Sequence, residues 1–76
     1  MPVFYFNLRG DGVDQPDLTG RDLPDEGAAR LEAERLAAEL AEAARAAGET
    51  PPDATLEVDD AELRPVLALP LRERSL

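Results

Sequence analysis

A run of helix-forming residues from Glu26 to Ala47 constrains this fold more than any other part of the sequence. It is mostly alanine, leucine, glutamate and arginine, which have the highest helix propensities. Asp25 precedes the run in the position of an N-cap, and Gly48 follows it as a C-terminal cap, before two prolines that cannot continue a helix. We therefore predict one helix over this run, about 33 Å long. A seven-residue strand reaches only about 23 Å, so the C-terminal end of the helix should project beyond the sheet.

The helix should bury one face, because its apolar residues recur at a spacing of three or four. The predicted stripe consists of Ala29, Ala33, Leu36, Leu40, Ala43 and Ala47. The outer faces carry two pairs at ion-pair spacing, Arg30–Glu34 and Arg35–Glu39. Each such pair stabilises a helix by only a few tenths of a kcal/mol.

Two strands are predicted before the helix. The segment VFYFNL, from Val3 to Leu8, has a strand-like composition and places Phe4, Phe6 and Leu8 on one face. A loop rich in glycine, aspartate and proline follows it. A second, short strand is predicted from Asp17 to Leu23.

Two further strands are predicted after the helix. In ATLEVDD, Leu56 and Val58 should point inward, and a turn should follow from Asp59 to Leu63. The last strand, PVLALPL, runs from Pro65 to Leu71. Because proline donates no N–H to a ladder, this strand belongs at an edge of the sheet.

The predicted order is thus β-β-α-β-β, and the predicted fold class is α+β, with one long helix packed on a small antiparallel sheet in two layers. We expect a single small domain over residues 1–76. Its parts are a first hairpin at 1–24, a helix at 25–48, a second hairpin at 54–71 and a tail at 72–76.

The charge balance argues against several partners. The chain carries 17 acidic and 8 basic residues, a formal net charge of -9, which repels nucleic-acid backbones and anionic membranes. No apolar run approaches the roughly 20 residues that span a bilayer. We therefore expect no nucleic-acid partner and no membrane partner, and a cytoplasmic location.

The inventory of reactive side chains is sparse. The sequence has no histidine, cysteine or lysine, so the familiar nucleophile–base pairs cannot be assembled. The prediction is that the protein is not an enzyme and binds no cofactor.

Two acidic clusters are weak candidates for a hard cation, which binds carboxylate oxygens in turns. Their members are Asp11, Asp14 and Asp17, and Asp59, Asp60 and Glu62. The more ordinary interpretation is that these aspartates cap turns with their own side chains.

Self-association is the leading functional expectation, because one helix covers only one face of the sheet and so short a chain has a marginal core. The predicted interaction surface consists of Val3, Tyr5, Val66, Ala68, Ala44 and Ala47. We predict a small acidic interaction or regulatory module acting as a homodimer, with an unidentified protein as a further partner. The alternatives are a ligand-binding or metal-binding protein using the acidic turns and, more weakly, an acidic mimic of nucleic acid.

The chain also resembles a family of short alphaproteobacterial proteins of unknown function. MPVFYFNLRGDG is similar to the family's MPxxFFHLRDG-like opening, and VDDAELRPVLALPL is similar to its closing hairpin. The family's DxxGxxLPDxxAAxxEA core is matched by Asp17, Gly20, Leu23, Pro24, Asp25, Ala28, Ala29, Glu32 and Ala33. The resemblance implies a free-standing ββαββ protein and supplies no activity.

Three residues depart from that family pattern. Asn7 stands where many members carry histidine, which weakens a functional role for this position. Leu63 replaces a turn glycine and Pro65 replaces a β-branched residue, so the last hairpin should be looser in this chain.

Overall fold

The computed structural model describes residues 2–10 and 12–71. Over these residues one helix packs on an antiparallel sheet of five strands, which confirms the α+β class. The elements are β1 (Val3–Gly10), β2 (Val13–Gln15), β3 (Arg21–Asp22), α1 (Glu26–Ala46), β4 (Ala54–Asp59) and β5 (Pro65–Pro70). The predicted tail at 72–76 and the candidate ligand Asp11 lie outside the described residues.

The first half of the sheet differs from the predicted hairpin. In the order β2-β1-β4-β5, β1 pairs with β4 on one side, while β2 and β3 both pair with β1 on the other. The strand predicted from Asp17 to Leu23 is reduced to the two residues of β3. A turn at Gly12, whose φ is +76°, instead folds β2 directly back onto β1. Residues 16–20 are left as a loop between these two short strands.

The core lies between α1 and the sheet face that carries the predicted inward residues. Phe4, Phe6, Leu56 and Val58 are buried there, which confirms the strand faces read from their alternation. They pack with the alanines of the first half of the helix, which are fully buried: Ala29 and Ala33.

The second half of the predicted helix stripe is wrong. Ala41 is buried and Ala37 packs on the core, whereas Leu40 is 39% exposed and Ala43 and Ala47 are exposed. The helix lies over β4 and β5 rather than over the middle of the sheet, so the face that it turns toward the sheet carries different residues from those predicted. Alanine fits a buried or an exposed position equally well, so the sequence pattern alone could not show which of these helix faces is buried.

The predicted helix ends are confirmed. The Asp25 carboxylate accepts the N–H of Ala28 at 2.8 Å, as an N-cap should. At the other end Gly48 has a φ of +77°, and its N–H donates to the carbonyl of Arg45 at 2.9 Å. The N–H of Glu49 donates to the carbonyl of Ala44 at 2.8 Å, which completes a Schellman motif.

The second hairpin places β5 at the edge of the sheet, as its prolines predict. The turn before it contains Leu63 with a φ of +63°, in the left-handed region that favours glycine. A register shift at Asp59 then brings Val66 against the core. Among the described residues, no helix is both long and apolar enough to cross a membrane.

Candidate functional site

The acidic residues proposed as cation ligands are engaged separately. Asp14 lies 3.7 Å from the Arg9 guanidinium on the exposed β1–β2 hairpin. Asp17 accepts backbone N–H groups in the loop that follows. Their side chains therefore stabilise the local chain, and the third candidate of this cluster, Asp11, is outside the described residues.

The second acidic cluster is not assembled as a cation site. Asp59 accepts a bond from a strand neighbour, whereas Asp60 accepts the N–H groups of Glu62 and Arg64, both at 2.9 Å. Glu62 is 2.9 Å from the Arg64 guanidinium. Over residues 2–10 and 12–71, no three carboxylates converge in an arrangement that could hold a metal ion.

The carboxylate of Asp60 is held by the turn that it caps. The backbone N–H of Arg64 lowers the pKa of Asp60 most, against a smaller rise from burial, and the N–H of Glu62 and the charge of Arg64 lower it further. Asp60 therefore stays ionised because it caps a turn, as the more ordinary interpretation predicts.

A buried polar network joins the loop at residues 16–20 to the sheet. Asn7 is only 5% exposed, and its amide nitrogen donates to the Asp59 carboxylate at 3.1 Å and to the Glu57 carbonyl at 3.4 Å. Its amide oxygen accepts the backbone N–H of Asp17 at 2.8 Å. Both ends of the Asn7 side chain are thus satisfied, and this position anchors the loop on β1 and β4.

Asp17 takes the place of a strand neighbour for β1. Phe6 lies in β1 between the residues that pair with β3 and those that pair with β2. The Asp17 carboxylate accepts its backbone N–H at 3.1 Å. It also accepts the N–H groups of Thr19 and Gly20 at 3.0 Å each. Burial raises the pKa of Asp17, but these backbone donors together with the charge of Arg21 outweigh it and hold the pKa below its ordinary value.

The predicted interaction surface does not form a continuous apolar patch. Tyr5 pairs with Asp59 across β1 and β4, and Ala68 lies opposite Glu57 across β4 and β5. The two acids of β4 therefore separate the apolar residues of β1 from those of β5 on the face turned away from the helix. Val66 is half-buried: it packs against the core and also lines, with Ala68, a groove beside these two acids.

Val3 lies near Tyr5 on β1, whereas the two helix members of that predicted surface lie elsewhere. Val3 is half-buried and lies close to Gly20, where an added Cβ would be 2.6 Å from its Cγ1. Ala44 is half-buried near the C-terminal end of the helix, and Ala47 is exposed at its cap. These positions are therefore spread over three parts of the molecule.

Two apolar grooves flank the helix. The β5-side groove, about 640 Å³, lies between α1 and the end of β5 and is floored by Ala37, Ala38, Ala41, Leu69, Pro70 and Leu71. The β1-side groove, about 670 Å³, lies between α1 and the loop at residues 16–20 and is floored by Phe6, Leu8, Leu36, Leu40, Ala43 and Leu56.

A charged bridge lies beside the β1-side groove, which Arg21 lines. The Arg21 guanidinium lies 5.7 Å from the centre of the Phe6 ring and is hydrogen-bonded to Glu32 on the helix. Arg35 binds the same carboxylate at 2.7 Å and lowers the pKa of Glu32 most, with Arg21 adding to that effect against burial. The predicted Arg35–Glu39 pair is confirmed at 2.7 Å.

Comparison with protein families identifies the chain at the level of a domain. Residues 3–72 match the model of a domain of unknown function, DUF6894. The chain belongs to this family. No curated protein and no solved structure matches it. Membership of the DUF6894 family confirms the predicted resemblance to a family of unknown function, while the alphaproteobacterial origin and the quoted motifs stay predictions.

Sequence reasoning on this DUF6894 domain missed the role of Asn7 and Asp17. A polar residue inside the aromatic strand VFYFNL, followed ten residues later by Asp-Leu-Thr-Gly, was the available signal. An aspartate three residues before a glycine is typical of a turn closed by the side chain. The sequence does not show that this turn lies against the part of β1 that neither β2 nor β3 pairs with.

Proposed function

We propose that this DUF6894 domain is a non-enzymatic interaction module that acts as a homodimer. The observation that carries the proposal is the small size of the core. Ten apolar residues are buried among those described, four of them are alanine, and Val58 is the one large side chain that is fully enclosed. A core of this size supplies only a few kcal/mol, and association with a second copy is a usual remedy.

Two further features support this proposal. Apolar side chains remain open to solvent along the helix, where Leu40 is 39% and Leu31 is 69% exposed. The sequence contains no histidine, cysteine or lysine, which favours binding over catalysis.

The first test is the solution mass of the purified chain by light scattering after size exclusion, over a dilution from about 200 to about 2 μM. We expect a particle of twice the 8.2 kDa chain mass that dissociates only towards the lower end. A mass of one chain at every concentration would exclude the homodimer. Hydrolytic or transfer activity that copurifies with the chain and is lost on unfolding it would exclude the non-enzymatic role.

A further inference from the structure

The sequence of the first strand is of a kind that pairs readily with copies of itself. From Val3 to Leu8 it reads VFYFNL, which contains no charge, proline or glycine and holds all three aromatic residues of the chain. Short segments with high β propensity and no charge associate with one another wherever an edge of the strand is exposed. What covers the two edges of β1 therefore decides whether chains associate through it.

The first edge of β1 is closed by β4, which pairs with it from Tyr5 to Gly10. On the second edge the N–H of Phe6 donates to the Asp17 carboxylate. Because backbone N–H groups alternate between the two sides of a strand, those of Phe4 and Leu8 point to this second edge as well. It is the edge at which β1 could accept another strand.

Residues 13–22, which we call the edge cover, occupy this second edge in three pieces. β2 pairs three residues with β1, and β3 pairs two. Between them the loop reaches β1 through the Asp17 carboxylate, while the Asn7 amide oxygen accepts the N–H of Asp17 at 2.8 Å. Strand pairings this short are marginal by themselves. Asp17 therefore joins two weak pairings into one cover.

The outermost edges of the sheet are poor templates for another strand. β2 and β3 are short and carry the charges of Asp14, Arg21 and Asp22. β5 begins and ends with proline and has a register shift opposite Asp59. Short strands, charges, prolines and bulges are the devices by which sheets avoid pairing with other chains. Among residues 2–10 and 12–71, the edge of β1 beneath the cover is therefore the strand edge best suited to pairing.

This covered edge is complementary to its own copy. In an antiparallel pair centred on Phe6, Phe6 lies opposite its own copy and Phe4 lies opposite Leu8. Each chain then contributes its three outward N–H groups and the three carbonyl groups of the same residues, which bond across a two-fold axis. The helix lies over β4 and β5, so it leaves this side of the sheet open to a second copy.

Charge does not oppose the pairing of two such edges. The acids of β4 on the face turned away from the helix, Glu57 and Asp59, lie one strand away from β1. In the paired sheet the two β4 strands would be three strand spacings apart, about 14 Å. That separation exceeds the roughly 8 Å over which exposed charges interact at physiological salt.

We propose that the edge cover is a removable strap kept closed by Asp17, and that opening it exposes a site where β1 of a second copy pairs antiparallel with β1. The proposal goes beyond the homodimer proposed above, because it assigns a second, latent surface whose use depends on Asp17. In the closed chain the cover occupies this surface, so two copies of β1 do not meet.

The first experiment measures amide hydrogen exchange of the unchanged chain, residue by residue. If the cover opens as a unit, the N–H groups of Phe4, Phe6 and Leu8 should exchange together, with a weak dependence on urea. They should be at least about tenfold less protected than the N–H groups of Tyr5 and Asn7, which face β4. Equal protection of the two groups, with the same urea dependence, would overturn the proposal.

The second experiment compares the solution masses of Asp17→Ala and Ala33→Gly. Both substitutions lower the stability of the fold, but Ala33 is buried in the helix, away from the cover. Loss of a buried hydrogen bond raises the population of open chains by at least about tenfold, and pairing needs two open chains. The dissociation constant for pairing through β1 should therefore fall by at least about 100-fold in Asp17→Ala. Ala33→Gly should change it by no more than about threefold, at temperatures that give equal unfolded fractions.

Light scattering should show Asp17→Ala as a particle of twice the mass that the unchanged chain has at the same concentration. No increase in mass, or the same increase for Ala33→Gly, would overturn the proposal, since general unfolding would then explain any association. If circular dichroism shows that Asp17→Ala is unfolded, Asp17→Asn takes its place, because it keeps an acceptor oxygen. The result expected of Asp17→Asn is the same, with a smaller decrease in the dissociation constant.

The third experiment locates the contact in the background of Asp17→Ala. Tyr5→Lys adds a charge to β1, and Leu18→Lys adds the same charge to the loop, where Leu18 is 88% exposed. In the paired strands the two new charges at position 5 would be diagonal neighbours on one sheet face, so Tyr5→Lys should weaken the pairing by at least about fivefold. Leu18→Lys should change it by no more than about twofold. Equal effects would place the contact outside β1 and overturn the proposal.

The outcomes separate this proposal from the homodimer. An unchanged chain that is monomeric at all concentrations removes the homodimer, while Asp17→Ala should then still pass from one chain to two. A homodimer whose mass is the same with and without Asp17 keeps the proposed function and overturns the latent surface.

Discussion

The carboxylate of Asp17 is the point where the loop at residues 16–20 is held to the sheet. It accepts N–H groups from Phe6 at 3.1 Å and from Thr19 and Gly20 at 3.0 Å. Thr19 is exposed, so water can replace its bond after substitution, whereas Phe6 is buried and Gly20 is half-buried. An unsatisfied donor at either of the latter two positions costs about 1–2 kcal/mol. Asp17→Ala should therefore destabilise the fold by roughly 2–3 kcal/mol.

That loss is large for so short a chain. At about 0.05–0.15 kcal/mol per residue the whole free energy of unfolding is roughly 4–11 kcal/mol. In urea, with a slope of about 1 kcal/mol per M, the midpoint should fall by about 2 M. The matched control is Asp14→Ala, because Asp14 is 80% exposed and makes one ion pair at 3.7 Å. We expect that control to change stability by less than about 0.5 kcal/mol. Equal urea midpoints for the two variants would refute the role assigned to Asp17 as a hydrogen-bond acceptor for the backbone of β1 and the loop.

The same residue gives a pH dependence of definite sign. The pKa of Asp17 in the folded chain lies below its ordinary value of 3.8, so the ionised form is favoured by folding. Its contribution to stability is complete above the unfolded pKa and is lost as the pH falls through the folded pKa. Asp17→Asn keeps an acceptor oxygen but does not titrate. Urea midpoints between pH 7 and pH 3 should therefore fall less steeply for this variant than for the unchanged chain.

Four further substitutions test the backbone and the helix cap. Gly20→Ala should destabilise the fold by about 2–3 kcal/mol, because the φ of Gly20 is +77° and the added Cβ would lie 2.6 Å from a Val3 methyl carbon. Gly12→Ala is the matched control, since Gly12 has a φ of +76° but nothing within 4 Å of the added Cβ. It should cost only about 1 kcal/mol. Leu63→Gly should raise stability by about 1 kcal/mol, because Leu63 is 69% exposed and has a φ of +63°. Asp25→Ala should cost about 1 kcal/mol by removing the N-cap bond. Thermal or urea unfolding measures each of these differences, and a neutral Gly20→Ala or a destabilising Leu63→Gly would contradict the backbone argument.

The parts of the fold that were predictable depend on residues with one strong local preference. Asp25 and Gly48 mark the helix ends because few other residues satisfy those backbone positions. Phe4 and Phe6 mark the buried face of β1 because alternation in a strand leaves one choice. Leu63 was expected to loosen the last turn, and the structure gives it the backbone conformation that glycine would adopt freely.

The parts that were missed depend on where elements lie relative to one another. The helix lies over β4 and β5, so Ala37 and Ala41 turn inward in place of Leu40 and Ala43. Nothing in a run of alanines encodes that offset, since each alanine is compatible with either environment. The role of Asp17 was hidden for a similar reason, because it depends on the part of β1 that β2 and β3 leave unpaired.

The small core and the proposed dimer have a joint consequence for every stability measurement on this chain. Ten apolar residues are buried among those described, and a second copy would add apolar burial to this small core. If that copy binds only the folded chain, the free energy of unfolding per chain increases with chain concentration above the dissociation constant, by about 0.7 kcal/mol for each tenfold rise, which is about 1.4 kcal/mol per dimer. A urea midpoint that rises with concentration would therefore indicate a core completed by a second copy, whereas a midpoint that is constant over the same range would indicate a core that is sufficient alone.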